Sequence, residues 1–393
     1  MQRRGSRAAL SSWCKLAVAA MATLVVLIVV AGCGGSSSSS TSSSSSGGSG
    51  GSSSGSSGEE GAAAKKAEQE IAQYEKPPTS NGITAPLKQK PPTGKLIYTI
   101  ACGLAPCKVL QEGATEGGEA LGWTVKNLVT DGTPENITEQ VEEALNHNAD
   151  GILVTGFSRS SFEPALQKAI QQGVPMVTSG TPDTAKPPFI SVTSNKPVFA
   201  RNSSIMGKWI VAESGAAADV AVFGVSTFPV LAYAGEQLTA EIGESCPTCT
   251  VNETNSQITE VGTDLPQKVV SSIQQDPNIN YLYFTDGSFA TGVPAALRDA
   301  GLSEQVNLTS AQPTEVDFEN LRDGSAAAYM AYPLAWVGWA GIDSFARFFN
   351  HENPKPPPLA VPTQILTKET VGDIKHWEPP NFQEKFKELW HVG

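Results

Sequence analysis

Cysteine has the widest chemical repertoire of any residue type in this chain, and its six copies fall into three settings. Cys14 and Cys33 flank an apolar run near the N-terminus. Cys102 and Cys107 bracket "CGLAPC". Cys246 and Cys249 form a C-x-x-C, the spacing of dithiol redox sites. The last four allow three pairings. Histidine offers less. His147, His351, His376 and His391 each lack a second histidine or a cysteine at metal-ligand spacing, so no metal is expected. The G-x-S-x-G spacing at Gly47 to Gly51 falls inside a serine and glycine tract, where it is a chance match. No phosphate loop of the G-x-G-x-x-G or G-K-[ST] type is present. These counts point away from catalysis and from a bound cofactor.

The apolar run around Cys14 explains the other N-terminal cysteine. Arg3, Arg4, Arg7 and Lys15 precede or open it, with no acid among the first fifteen residues. A basic segment followed by an apolar one is the pattern of a secretory signal. Val30-Ala31-Gly32-Cys33 resembles a bacterial lipobox. That resemblance implies cleavage after residue 32 and lipid on Cys33, which would hold the protein at the extracytoplasmic face of the cell membrane. Residues 34–58 are all Gly, Ser or Thr. Such a chain behaves as flexible coil, with a span of roughly 25–30 Å for this length. The next stretch, "EEGAAAKKAEQEIAQYEK", is rich in helix formers but has only a thin apolar stripe at Ala64, Ala67, Ile71 and Tyr74. It reads as a marginal stalk helix. Five prolines between Pro77 and Pro92 follow, so the folded body is expected to begin near Lys95 and residues 33–94 to serve as lipid attachment, tether, stalk and linker.

Loss of the leader leaves 23 of the 27 basic residues against all 39 acidic ones, a net charge of −16. That argues against nucleic acid as a partner. From Lys95 onward, short apolar runs alternate with amphipathic stretches. "KLIYTIAC" reads as a buried strand and "CKVLQEGATEGGEALG" as a helix. "TPENITEQVEEALNHNA" opens on Thr133 as N-cap and Pro134 at the first helical position. "DGILVTG", "VPMVTSG", "DVAVFGV" and "NINYLYFTDG" continue the beat. A strand every 25 to 30 residues with helices between predicts an α/β fold with parallel sheets. A chain of this size tends to divide into two cores.

Several of these stretches, taken in order, carry a resemblance to a known family. "EGATEGGEALGWTV", "ALNHNADGILVTG", "PALQKAIQQGVPMVTS", "YFTDGSFATGVPAALRDAGL" and "LRDGSAAAYMAYPLAWVGWAGIDSFAR" resemble the periplasmic binding proteins of the ribose-binding type, the ABC-transporter receptors for sugars and similar small molecules. The resemblance covers residues 95 to about 350. It implies two doubly wound parallel-sheet lobes joined by three hinge strands. The first lobe would span 95–194 and 312–350. The second would span 195–311, with 351–393 as its tail. It further implies a monomer that binds a small solute and hands it to an ABC permease. With the two cysteine pairs in different lobes of an exported protein, local links Cys102–Cys107 and Cys246–Cys249 are expected.

Open α/β sheets bind ligands at the carboxyl ends of their strands. The residues there are the candidate site: Gly103 and Leu104 in the first loop; Phe157, Ser158 and Arg159 after "GILVTG"; Ser179 after "VPMV"; Phe228 after "VAVFGV"; Asp286 and Ser288 after "YLYFT"; Gln312 after "LTSA"; and Tyr332 after "AAYMA". Asp286 matches the family's acidic position in the second lobe. Two departures matter. Leu104, Ala105 and Pro106 stand where sugar receptors offer Asn and aromatics, and Phe228-Pro229-Val230 stands where an arginine is common. The pocket therefore reads as sugar-like or less polar. Two other functions remain open. A receptor of the same fold could signal to a membrane sensor, or Cys246 and Cys249 could exchange disulfides.

Overall fold

The structure is a computed structural model that describes residues 56–357 and 359–393. The leader, Cys33 and nearly all of the Ser/Gly tether lie outside the described residues. Helix α1 (Ser56–Ile71) precedes strand β1 (Leu96–Cys102). Then come α2 (Ala105–Ala120), β2 (Thr124–Thr130), α3 (Pro134–Asn146), β3 (Gly151–Thr155), α4 (Glu163–Gln172), β4 (Met176–Ser179) and β5 (Phe189–Val192). The chain continues through α5 (Lys196–Glu213), β6 (Asp219–Val225), α6 (Pro229–Ser245), β7 (Thr250–Ser256), α7 (Leu265–Gln275), β8 (Tyr281–Phe284), α8 (Val293–Asp299) and β9 (Asn307–Ala311). It closes with α9 (Glu315–Asp323), β10 (Ala328–Ala331), α10 (Leu334–Phe349), β11 (Gln364–Leu366) and α11 (Phe382–Leu389).

The strands form two sheets. One has the order β2-β1-β3-β4-β5, all parallel; the other has β11-β10-β9-β8-β6-β7, parallel except for the edge strand β11. Local chemistry accounts for the elements. Strand β6 is apolar along both faces because both are covered: Val220 and Val222 pack beneath α5 and α6, while Ala221 and Phe223 face the opposite core. Edge strand β7, "TVNETNS", is mostly exposed and correspondingly polar. Thr133 caps α3 by accepting from the N–H of Asn136, with Pro134 following it. Gly173, at φ +70°, ends α4; its N–H donates to Ile170 O and that of Val174 to Ala169 O.

Three placements differ from the sequence expectation. Residues 312–331 were expected in the first lobe, but β10 runs parallel to β9 in the second sheet, with Ala328 opposite Thr309. Units of β9-α9-β10 type return to their own sheet by a right-handed crossover, so only α10 leaves it. Helix α10 packs on α2 in the first lobe, where Gly113 and Gly338 let the helices touch; a Cβ on Gly338 would lie 2.3 Å from Leu110 O. The tail is also divided. Strand β11 pairs with β10, whereas α11 lays Phe382, Phe386 and Trp390 on Trp336 and Trp339 of α10.

The third difference is the N-terminal segment. Residues 56–94 are docked rather than free. Ala67 and Ile71 of α1 are buried against Ile205 and Trp209 of α5, and Lys208 pairs with Glu70. Ile365 donates its N–H to Tyr74 O at 2.7 Å. Asn81 accepts from Trp336 Nε1, and Leu87 donates to Leu389 O at 2.9 Å. Pro92 O accepts from Trp123 Nε1 at 2.7 Å. The segment is thus a strap running from the second lobe to the first. The stripe that looked too thin to hold a helix suffices because α5 supplies the other half of the contact. At Gly82, with φ +79°, a Cβ would sit 1.7 Å from Ala360 O. Gly82→Val is therefore expected to lift the strap, to cost about 1–3 kcal/mol and to open residues 72–94 to limited proteolysis. A variant as protease-resistant as its parent would show that the strap does not depend on this contact.

Candidate functional site

The carboxyl ends of both sheets converge on one narrow cavity of about 60 Å³, part of it open to solvent. From the first lobe come Cys102, Leu104, Pro106, Cys107 and Leu110, then Thr155 and Gly156 at the end of β3, and Ser179 and Gly180 after β4. The second lobe supplies Phe199, Phe228, Val230, Leu231, Asp286, Phe289 and Gln312. Tyr332 and Leu334 close the ring where β10 passes into α10.

The first loop is held by the Cys102–Cys107 disulfide, which spans the end of β1 and the first turn of α2 with Cα atoms 5.6 Å apart. This link keeps Leu104 and Pro106 at the cavity wall, so that part of the wall needs no ordering on binding. The second link, Cys246–Cys249, joins the end of α6 to the start of β7. Cys246 is buried there, away from the cavity.

The polar groups are few. Asp286 is only 5% exposed. Its Oδ1 accepts from the N–H of Ser288 at 3.0 Å and from Ser288 Oγ at 2.6 Å. Burial pushes its carboxyl up to about 7, against the pull of the Ser288 hydrogen bonds and with a further push from Asp317 nearby. Thr155 Oγ1 and Ser179 Oγ are buried without a partner in hydrogen-bonding geometry. Buried polar atoms normally have one. Gln312 sits at φ +54° with its N–H on Met330 O at 3.1 Å. Tyr332 donates its hydroxyl to Ser194 Oγ at 2.6 Å. The rest of the lining is apolar.

Of the sequence candidates, Leu104, Ser179, Phe228, Asp286, Gln312 and Tyr332 line the cavity together with both cysteines of the first loop. The others do not. Phe157 is 2% exposed and stands behind Phe228, its ring centre 5.8 Å away. Arg159 is held against the first lobe: its Nε lies 3.3 Å from Glu163, its N–H donates to Asp183, and its guanidinium lies over Phe189. Ser158 precedes that turn as its N-cap residue, with no capping hydrogen bond from its side chain. Gly103 is exposed beside Val129. Ser288 orients Asp286 instead of facing the cavity. Sequence reasoning missed Thr155, Phe199 and Phe289. Thr155 is the last residue of β3, two positions before the loop's first candidate, Phe157, and by sequence it reads as part of the strand. Phe199 enters from the first turn of α5, whose direction depends on how the lobes meet. Phe289 lies just beyond Asp286, and its ring stacks on Phe228 at 6.4 Å.

A family model described as a periplasmic binding protein domain matches residues 107–353. Among solved structures, an ABC transporter solute-binding protein from Agrobacterium vitis bound to α-D-tagatopyranose aligns at a TM-score of 0.63 with 16% identity, covering 71% of this chain and 96% of that one. An ABC sugar transporter subunit from Rhodobacter sphaeroides aligns at 0.62 with 22% identity, covering 70% and 99%. A 5-methylthioribose transporter solute-binding protein from Thermotoga lettingae, in complex with 5-methylthioribose, aligns at 0.62 with 17% identity, covering 77% and 99%. No curated protein sequence matches.

Proposed function

Because this chain belongs to the periplasmic binding protein family, we propose that it is a lipid-anchored extracytoplasmic receptor that captures one small solute and presents it to an ABC permease. The observation that supports this reading is the cavity itself: side chains from the strand ends of two lobes surround it, with Thr155 Oγ1 and Ser179 Oγ buried and unpartnered. Such atoms suit a ligand that supplies their missing hydrogen bonds. The solved relatives named above carry sugars or belong to sugar transporters, and a solute with several hydrogen-bonding groups fits the polar end here. The apolar majority of the lining favours a solute less polar than a hexose. Closure would be a hinge motion of the lobes.

The lipid on Cys33 and the Ser/Gly tether would keep the receptor within reach of the permease. Among the described residues no helix is long and apolar enough to cross a membrane, in keeping with attachment at the N-terminus. The domain limits that suit this function are a first lobe of 95–192 with α2, α3, α4 and α10, and a second lobe of 196–331 with β11. The strap crosses between them, and α11 docks on α10 of the first lobe. A disulfide-exchanging role for Cys246 and Cys249 finds no support, since that link is remote from the cavity.

A thermal-shift screen of sugars, polyols, nucleosides and amines tests the receptor reading. A ligand at about 100 times its Kd adds about 2.7 kcal/mol. Asp286→Ala is expected to weaken the hit about 10- to 150-fold, the worth of hydrogen bonds to a charged group, while melting close to the parent. A hit with equal affinity for parent and Asp286→Ala would place the solute elsewhere.

A further inference from the structure

The cavity holds an acid without a base. No Lys, Arg or His lines it, and Asp286 is its one ionisable side chain apart from Tyr332 and the disulfide-bonded cysteines. The groups that act on the carboxylate make the imbalance worse. Asp317, itself 4% exposed, approaches from behind; a Cβ on Gly287 would lie 2.6 Å from its Oδ2. Tyr283 and Ser288 are neutral neighbours. Oδ1 is occupied by Ser288, and Oδ2 has no protein donor among the described residues. Four aromatic side chains, Phe199, Phe228, Phe289 and Tyr332, complete the wall.

Resting on the reading that this cavity is the solute site, we infer that its ligand is a small organic cation: a protonated amine carried on an apolar or aromatic body. An unpaired carboxylate that is only 5% exposed among apolar walls is unfavourable, and an opposite charge within a few ångström favours the ionised form. A neutral hydroxylated ligand can donate hydrogen bonds to Oδ2 but brings no opposite charge to balance it. The faces of aromatic rings attract cations as well as apolar groups. Ser179 Oγ, Thr155 Oγ1 and the Gln312 amide oxygen belong to the same lining and are further acceptors for the remaining N–H donors of the ammonium. Leu104, Leu110 and Leu231 receive the apolar body.

Matched pairs on the whole chain test this: 2-phenylethylamine against 2-phenylethanol, and D-glucosamine against D-glucose. At about 10 mM, at least one amine is expected to raise the melting temperature, and calorimetry is expected to show its neutral partner binding at least about 10-fold more weakly. Asp286→Asn keeps the shape and removes the charge; it is expected to reduce the amine's affinity about 10- to 150-fold and to abolish the preference. Should Asp286→Asn not fold, Phe228→Leu serves instead, with an expected loss of about 2- to 30-fold for the amine and less for the neutral partner. A neutral partner that binds as tightly, a preference that survives Asp286→Asn, or no stabilisation by any amine overturns the inference. Stabilisation by D-glucose alone would do so while leaving the receptor reading intact; silence from every compound, here and in the wider screen, would count against both.

Discussion

Arg347→Ala is expected to remove about 3–5 kcal/mol of stability at neutral pH, the cost of leaving a buried charge without its partner. Asp343 on α10 is 2% exposed and receives three hydrogen bonds. Arg347 Nε reaches its Oδ2 at 2.6 Å, Arg347 Nη2 its Oδ1 at 3.1 Å, and Trp390 Nε1 the same oxygen at 2.8 Å. Arg347 Nη2 also donates to Ala85 O of the strap at 2.7 Å. The pair therefore ties α10 to the tail through Asp343 and to the N-terminal segment through Arg347. The pH dependence has a definite sign. Burial already pushes the Asp343 carboxyl up, and Arg347 and Trp390 pull it down. Without Arg347 it rises further, so the folded variant holds a proton that the unfolded chain gives up. A raised acid contributes stability at low pH that is lost as pH rises. The deficit of Arg347→Ala is thus expected to shrink between pH 7 and pH 5. Urea titrations of parent and variant at both values measure it. A loss below about 1 kcal/mol at pH 7, the level of exposed ion pairs, would mean that water reaches Asp343.

Trp339→Ala is expected to cost about as much, roughly 3–5 kcal/mol, by a different route. Its indole is 1% exposed and stacks on Trp390 at 5.3 Å with the rings 10° apart. Phe382 and Phe386 pack against it at 6.0 and 5.8 Å. Gly117 of α2 makes room beneath it; a Cβ there would lie 3.2 Å from the ring. Truncation leaves a void under α11 that cannot collapse without moving α2. Hydrogen exchange over residues 382–392 is expected to quicken together with a lower melting temperature. If the melting temperature drops but the α11 amides stay protected, the tail is held by the strap rather than by this ring.

The strand-end rule was sufficient to name Leu104, Ser179, Phe228, Asp286, Gln312 and Tyr332, all of which line the cavity. It failed at Phe157 and Arg159, which carry the same local signal. A residue beyond a strand end can turn either way, and the loop conformation decides. Gly156 takes φ +89°, which sends Phe157 behind Phe228 instead of beside the ligand space. Arg159 is claimed by Glu163 one turn on and by Asp183 from a distant loop. Neither capture has a local marker: an arginine four residues before a glutamate is ordinary surface chemistry.

Some features of this protein follow from its sequence alone, because their causes lie within a few neighbouring residues. The alternation of strands and helices, the Thr133 cap, the glycine stop at Gly173, the parallel α/β class and the division into two sheets are of this kind. Other features were decided only by tertiary structure, because each depends on a partner far away in sequence. The stripe of Ala67 and Ile71 is too thin to predict a docked helix until α5 is seen beneath it. Strand β10 joins the second sheet through its pairing with β9, and α11 joins the first lobe through Trp339. Asp286 could be placed at the cleft from its own segment, but its lack of a basic neighbour is a property of every element around the cavity at once. Burial and charge balance are sums over space, and a chain read in order shows only the terms that happen to lie close together.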